Sequence, residues 1–426
     1  ALGGFVNSSS GAVPALGEIK ISEDDLQAPY LRTAALCASA WNIYLAAIDT
    51  AYSHSGQGAE AFLEAASNVI GQQTRTNEGA GGLQMESFIA SLAYSNETRP
   101  ANALAALNGL VQGLARKGAA LMQLPLGERE KSWLFTVAAN ETKTALDNKA
   151  MPDSRTRAIA LLALLEFPNL QPIATKLLQP GEADAIRVAT IKLLGQQKDA
   201  KVAELLLETW PTLTPAPREA ALQALIAKPA SVDALLSALE QNRIKPAEIS
   251  ATARSLLTKT SNAKLRERAT KLFAPSGTRA EVIATYHDVP SLKGDIESGH
   301  KVYQTICAAC HRKGEEGRDI GPNLATVLSW TPEQLLTNIL DPNREVAPNF
   351  LLYIVETNDG RVLSGIIMNE TPASVSLKGA DGNEQSVPRS EVKSLKSAGI
   401  SLMPEGLEAA INPQQLADLI AFIRGQ

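Results

Sequence analysis

The chain has 426 residues, more than one ordinary core accommodates, and about two to four compact units are expected. It is 45% apolar, 20% charged and only 4% aromatic, and it is rich in Ala and Leu, a mix that argues for packed helices and against sandwiches. Its net charge of −5, without any block of Lys or Arg, leaves no phosphate-tracking surface, so nucleic acid is not an expected partner.

The first residues, Ala-Leu-Gly-Gly-Phe-Val, lack an initiating Met and a basic leader, which reads as a chain trimmed by signal processing or cut from something longer. Residues 1–24 have no periodicity and are expected to be irregular. No apolar run reaches the roughly 18 residues of a membrane helix, so no transmembrane segment is predicted. Cys37 stands alone in the apolar stretch 31–40 and reads as a buried structural thiol without a role. With only two other cysteines, Cys307 and Cys310, a disulfide framework is excluded as the source of stability.

Residues 25–275 read as helical repeats. Early, degenerate units lie at 30–47 and 61–70, broken by a Gly-rich loop at 78–82. From Arg157 a pattern of a basic residue followed by small and Leu-rich positions recurs at intervals of about 30 residues, at Arg157, Arg187, Arg218 and, more weakly, Glu248. Each unit contains a second apolar helix, at 173–178, 202–207, 232–239 and 265–273, set off by Pro, Asp or Asn. A pair of short helices cannot bury its own apolar stripe, so neighbouring pairs are expected to stack into an α-solenoid. The pattern resembles HEAT-type repeats, with a shorter period than is usual for that class. Such a stack serves as a binding surface or as a brace, and the sequence does not separate these. Residues 276–290 read as a linker before a C-terminal domain over 291–426.

That domain opens with a short capped helix, Gly294-Asp295 followed by 296–305, and then Cys307-Ala-Ala-Cys310-His311. Two thiols separated by two residues suit thioethers to the two vinyl groups on one edge of a porphyrin, and the next residue puts an imidazole on the iron. A thioredoxin-like pair wants a βαβ context, and a zinc site wants two further ligands where only His287 and His300 are near. One covalent haem c is therefore the predicted cofactor. The last helix, 413–424, carries an apolar stripe of Leu416, Leu419, Ile420 and Phe422.

These features resemble c-type cytochromes, in which the first and last helices cross at a glycine with an aromatic pair closing the contact. Gly299 and Tyr303 against Leu419 and Phe422 are the candidates for that crossing. Gly321-Pro322-Asn323-Leu324 is similar to the Gly-Pro-x-Leu of that class, where the Pro carbonyl accepts the proton on the other nitrogen of the iron-bound histidine. The resemblance therefore implies Pro322 as that acceptor. For the sixth ligand the domain offers His300, Met368 and Met403. Met403 lies in a loop just before the last helix, as the ligand methionine does in the class, so His311 and Met403 are the expected metal ligands.

Residues 351–396 alternate like short strands, with turns at 358–360 and 380–383, and predict a small antiparallel β insertion. Its expected role is to shield the haem edge or to form a docking face. The fold class predicted for the whole chain is thus mainly α: HEAT-like solenoid, then an all-α cytochrome domain with a β insertion.

Taken together, the repeats, Gly-Asp-x-x-x-Gly, Cys-x-x-Cys-His, Gly-Pro-Asn-Leu, Ile-Leu-Asp-Pro-Asn-Arg-Glu-Val-Ala-Pro, Asp-Gly-Arg-Val-Leu-Ser-Gly and Ser-Leu-Met-Pro-Glu-Gly-Leu resemble the haem-binding C-terminal domain described in Planctomycetes and Verrucomicrobia. In that family the domain often follows a propeller-type sugar or alcohol dehydrogenase, which passes substrate electrons to the haem. No propeller occurs in these residues, so the dehydrogenase reaction is not carried over and no catalytic site is expected in the chain itself. The resemblance implies a periplasmic or secreted electron carrier, with a redox protein or dehydrogenase domain as donor and another redox carrier as acceptor. Two rivals stand beside it: a haem peroxidase or gas-binding centre with an open sixth position, and a repeat scaffold with an auxiliary haem.

Overall fold

The computed structural model describes residues 56–73, 79–273 and 278–425. Cys37, the expected unit at 30–47 and the break at 274–277 lie outside them. The chain is mostly helical with a small antiparallel sheet, and it divides into two compact units, 1–177 and 178–426. The division falls inside the expected repeat array, so the last repeats share a unit with the haem motif.

In the first unit, α1 (Gln57–Gln73), α2 (Gly79–Thr98), α3 (Pro100–Arg116), α4 (Glu128–Leu146) and the end of α5 (Pro152–Leu161) contribute to one apolar cluster, and α6 (Phe167–Leu177) follows. Gly79 to Gly82, expected as a loop, begin α2. Helices α1 and α3 touch backbone to backbone, because a Cβ on Gly109 or Gly113 would lie 2.0 or 2.1 Å from the carbonyl oxygen of Glu64 or Asn68.

In the second unit three helix pairs follow one another: α7 (Asp184–Gln196) with α8 (Lys201–Thr209), α9 (Pro215–Ile226) with α10 (Pro229–Glu240), and α11 (Ala251–Thr258) with α12 (Ala263–Leu272). The first helices of the pairs pack on one another as one layer and the second helices as another. Buried arginines mark the repeat. Arg218 donates from Nε to the Leu213 carbonyl (3.2 Å) and from Nη2 to the Trp210 carbonyl (3.3 Å). Arg254 makes the same two bonds, to Ile249 (3.0 Å) and Pro246 (2.6 Å). The counterpart of Arg218 in the next repeat is therefore Arg254. Glu248, which the sequence pattern puts there, is instead the carboxylate that pairs with Arg218.

The β insertion is a five-stranded antiparallel sheet in the order β6-β5-β4-β3-β7, built from β3 (Leu351–Thr357), β4 (Val362–Glu370), β5 (Ser374–Lys378), β6 (Glu384–Pro388) and β7 (Val392–Ser401). A two-residue hairpin, β1 (Arg312–Lys313) with β2 (Glu316–Gly317), precedes it. The last strand of the sheet runs past the expected end at 396 to Ser401. One face buries Leu351, Tyr353, Val355, Val375, Leu377 and Leu395 together with Ala247 from the turn before α11.

Polar groups fix how this sheet seats on the helix pairs. The Tyr353 hydroxyl donates to the Leu213 carbonyl (2.9 Å), and the Arg218 guanidinium lies over both the Trp210 and Tyr353 rings. Glu370 at the end of β4 meets Arg187 of α7 at 3.6 Å and also pairs with Arg389. Arg187 is completely buried, and desolvation lowers its pKa. A charge in that position is tolerated only while its partner remains.

Removal of the shared carboxylate by Glu370→Ala therefore costs about 3–5 kcal/mol. Tyr353→Phe, which deletes one hydrogen bond, costs about 1 kcal/mol. Chemical denaturation followed by circular dichroism distinguishes the two, and equal losses would show that the buried charges are not what the sheet depends on.

Candidate functional site

The haem motif begins where one helix widens. Asp295 caps α14 (Ile296–Val302), its side chain accepting the Ser298 N–H at 2.8 Å. Residues Tyr303–Cys307 continue as a π-turn, and the chain then folds back on itself. The Cys307 carbonyl accepts N–H bonds from Cys310 (3.0 Å) and His311 (2.8 Å), and the Cys310 carbonyl accepts them from Ile320 (3.0 Å) and Gly321 (2.8 Å). This closes residues 307–321 into a loop that sets two sulfurs and one imidazole on a single short stretch. The Tyr303 hydroxyl, 2.9 Å from the carbonyls of both His311 and Glu316, ties the loop to the helix.

Pro322 lies at His311, as the sequence resemblance implied: its carbonyl is 2.8 Å from Nδ1. Nε2 has no hydrogen-bond partner among the described residues. Burial lowers the imidazole pKa, with the Pro322 carbonyl acting in the opposite sense, and the neutral ring is the form that ligates a metal. Cys307 and Cys310 are free, half-buried thiols, and burial aided by the neighbouring Cys310 pushes Cys307 up to about 11.

The residues around this loop are small or apolar. A Cβ on Gly321 would lie 2.6 Å from the His311 ring, so glycine keeps the ring face clear. Ile306, Cys307 and Ala308 pack on an apolar cluster of Tyr303, Leu324, Val327, Leu335, Leu336 and Leu340, the last three from α15 (Pro332–Leu340). Two soft sulfurs, one oriented imidazole and an apolar wall form a donor set that fits covalent haem.

The last helix, α16 (Pro413–Arg424), crosses α14 at glycines. A Cβ on Gly299 would lie 2.0 Å from the Asp418 carbonyl, and one on Gly294 2.5 Å from that of Ala417. Tyr303 meets Phe422 at 5.2 Å. Gly299 thus abuts Asp418 rather than the expected Leu419, which is buried in the cluster. Asp418, itself buried, accepts the Asp295 N–H at 2.9 Å and locks the crossing, a role no sequence signal announced.

Residues 276–290, expected as a linker, carry α13 (Thr278–Thr285), and Tyr286 and Val289 are buried in the same cluster as Tyr303. The segment is therefore part of the haem-end core.

The three candidates for a sixth ligand are placed differently. His300 stacks on Phe422 at 4.8 Å and its Nε2 meets Glu316 at 2.7 Å, so it is already engaged. Met368 is 46% exposed on β4. Met403 is half-buried in the loop after β7, and Leu407 at the far end of that loop packs on the cluster that touches Cys307. The β5–β6 turn also reaches the haem loop: Gly382 faces the buried Ile320, and Arg318 Nη1 donates to the Asp381 carbonyl at 3.3 Å.

Residues 294–351 match the family model described as cytochrome c oxidase, cbb3-type, subunit III. The match begins at the crossing glycine and ends as the sheet begins. The chain thus carries a c-type cytochrome domain, with covalently bound haem c and its iron as cofactor and Cys307 and Cys310 inside the domain. No curated protein matches the chain. No helix among the described residues is long and apolar enough to cross a membrane.

Gly321→Ala drives a methyl group into the His311 ring. Incorporation of haem on maturation then falls roughly tenfold, as for other changes beside a metal ligand. Intact mass and a haemochrome assay measure it, and undiminished loading would show that the ring has slack.

Proposed function

We propose that the chain is a periplasmic or secreted electron-transfer protein of the kind found at the C-terminus of Planctomycete and Verrucomicrobial dehydrogenases. In this reading it relays electrons from a dehydrogenase domain or redox protein to another carrier. The observation that carries the reading is His311, held at Nδ1 by Pro322 with Nε2 left unbonded one residue from a Cys-x-x-Cys pair. When bound, the haem supplies a reversible one-electron couple.

The residues around it then have defined roles. Cys307 and Cys310 would anchor the macrocycle, Pro322 fixes the imidazole of His311 and raises its basicity, and Met403 would supply a thioether to the iron. A soft thioether there would raise the potential and would compete with peroxide or a gas for the iron. The paired helices with their repeated Arg218 and Arg254 clamps support a HEAT-like stack that braces the haem end. Localisation outside the cytoplasmic membrane follows from where haem c is attached.

Visible spectra of the natively matured protein, oxidised and reduced, test this. A c-type α-band, a mass increase of one haem and a weak red methionine-to-iron band in the ferric form are expected, the red band vanishing in Met403→Ala. A vacant sixth position in the unmodified protein, seen as ready binding of carbon monoxide or cyanide, would favour the peroxidase or gas-binding alternative. A colourless protein with both thiols alkylatable would end the haem reading altogether.

A further inference from the structure

We propose that Asn343 is a positioning residue for Met403, holding both ends of the loop that presents this side chain. The proposal rests on the reading of Met403 as the sixth ligand.

The loop, Ser401-Leu402-Met403-Pro404-Glu405, has little to hold it from within. Pro404 has no N–H to donate. Gly406 turns the chain in the left-handed region (φ 92°), where other residues are strained. The entry is fixed by the sheet, where Ser401 pairs with Leu351 and Leu402 N donates to the Phe350 carbonyl at 3.3 Å. The Ser401 hydroxyl then accepts the Met403 N–H at 3.0 Å.

The remaining restraint comes from a residue distant in sequence. The Asn343 Oδ1 accepts the Ser401 N–H at 2.8 Å, and its Nδ2 donates to Glu405 Oε1 at 2.7 Å. One side-chain amide thus bridges the residues two before and two after Met403. An asparagine serving only its own turn would bond backbone about two residues on. Asn343 instead spends both polar ends on the methionine loop, while its own turn is closed by Arg344 N–H to the Asp341 carbonyl at 3.0 Å.

That turn is itself well anchored. Arg279 donates to the Leu340 carbonyl at 2.9 Å and pairs with Glu408 beyond the loop, and Val346 N donates to the Ala247 carbonyl at 3.3 Å. Asn343 therefore transmits the rigidity of the helical repeats and of α15 to the sulfur's position. Loosening the loop favours any competitor for the iron over the tethered thioether.

The test titrates ferric protein with imidazole and follows the red methionine-to-iron band, with haem mass and α-band as controls. In Asn343→Ala the concentration that displaces the methionine is expected to fall about tenfold, the loss of two hydrogen bonds of ordinary strength, and the reduction potential to fall with it. In Asn343→Asp a carboxylate faces Glu405, and the effect is at least as large. Combining Asn343→Asp with Glu405→Gln reverses the second hydrogen bond and restores the titration. If Met403→Ala abolishes the band but Asn343→Ala titrates like the unmodified protein, the positioning role is overturned. Failure of the combined variant to restore it overturns the hydrogen-bonded bridge. If the band is missing in the unmodified protein, or survives Met403→Ala, the ligand reading itself has failed.

Discussion

His311 is held at one ring nitrogen by a carbonyl 2.8 Å away, and the methyl-free Gly321 leaves its ring face open. That hydrogen bond exists only because residues 307–321 are folded back, with two carbonyls of the Cys-x-x-Cys segment each accepting a pair of N–H groups. The loop in turn keeps its shape because Tyr303 reaches over to it from a helix that meets α16 backbone to backbone. The geometry of the Cys-x-x-Cys-His loop is thus a consequence of helix packing. Two glycines let α14 and α16 approach, the approach buries Tyr303, and Tyr303 sets the loop that aims the imidazole.

The sheet is connected to this arrangement at three places. Its β5–β6 turn meets Ile320 and Arg318, its last strand runs into the Met403 loop, and its buried face rests on the turns before α9 and α11. An insertion that was only a cover would need an apolar contact. This one has an apolar face but is also seated by Arg187, Glu370 and Arg389 and by Arg218, Glu248 and Tyr353, groups with stringent geometric demands. Buried pairs of this kind contribute little net stability, because desolvation offsets their attraction, but they penalise every alternative seating. Specifying position is the role that suits a sheet whose last strand leads to a candidate iron ligand.

The helix pairs illustrate how a linear pattern can miss the register of a three-dimensional one. Small and Leu-rich runs recur about every 30 residues in the sequence, whereas the first helices of the pairs begin at Asp184, Pro215 and Ala251. Which residues are equivalent depends on which guanidinium enters the layer between helices. Arg254 replicates both carbonyl bonds of Arg218, whereas Arg157 is largely exposed and Arg155 is the buried residue that donates to the Ala145 carbonyl. A difference of a few residues on a helix changes the face, and the linear pattern carries no record of which carbonyls await a donor.

What the amino-acid order alone determined are the local features: the Cys-x-x-Cys-His spacing, the capped helix before it, the apolar stripe of the last helix, the turns at Gly360 and Gly382, and the alternation of the strands. Each depends on residues within one or two turns of chain, so spacing and side-chain type are sufficient to specify it. What only the tertiary structure decided are the π-turn before Cys307, the hairpin after His311, the role of Asp418 and the bridge made by Asn343. Asp418 and Asn343 act on partners 123, 58 and 62 residues away, and a polar side chain in the sequence does not disclose which distant backbone group it satisfies. Asp418 is buried, so its pairing is enforced by desolvation, whereas the Asn343 amide lies nearer the surface and its pairing is set by where the fold brings the methionine loop.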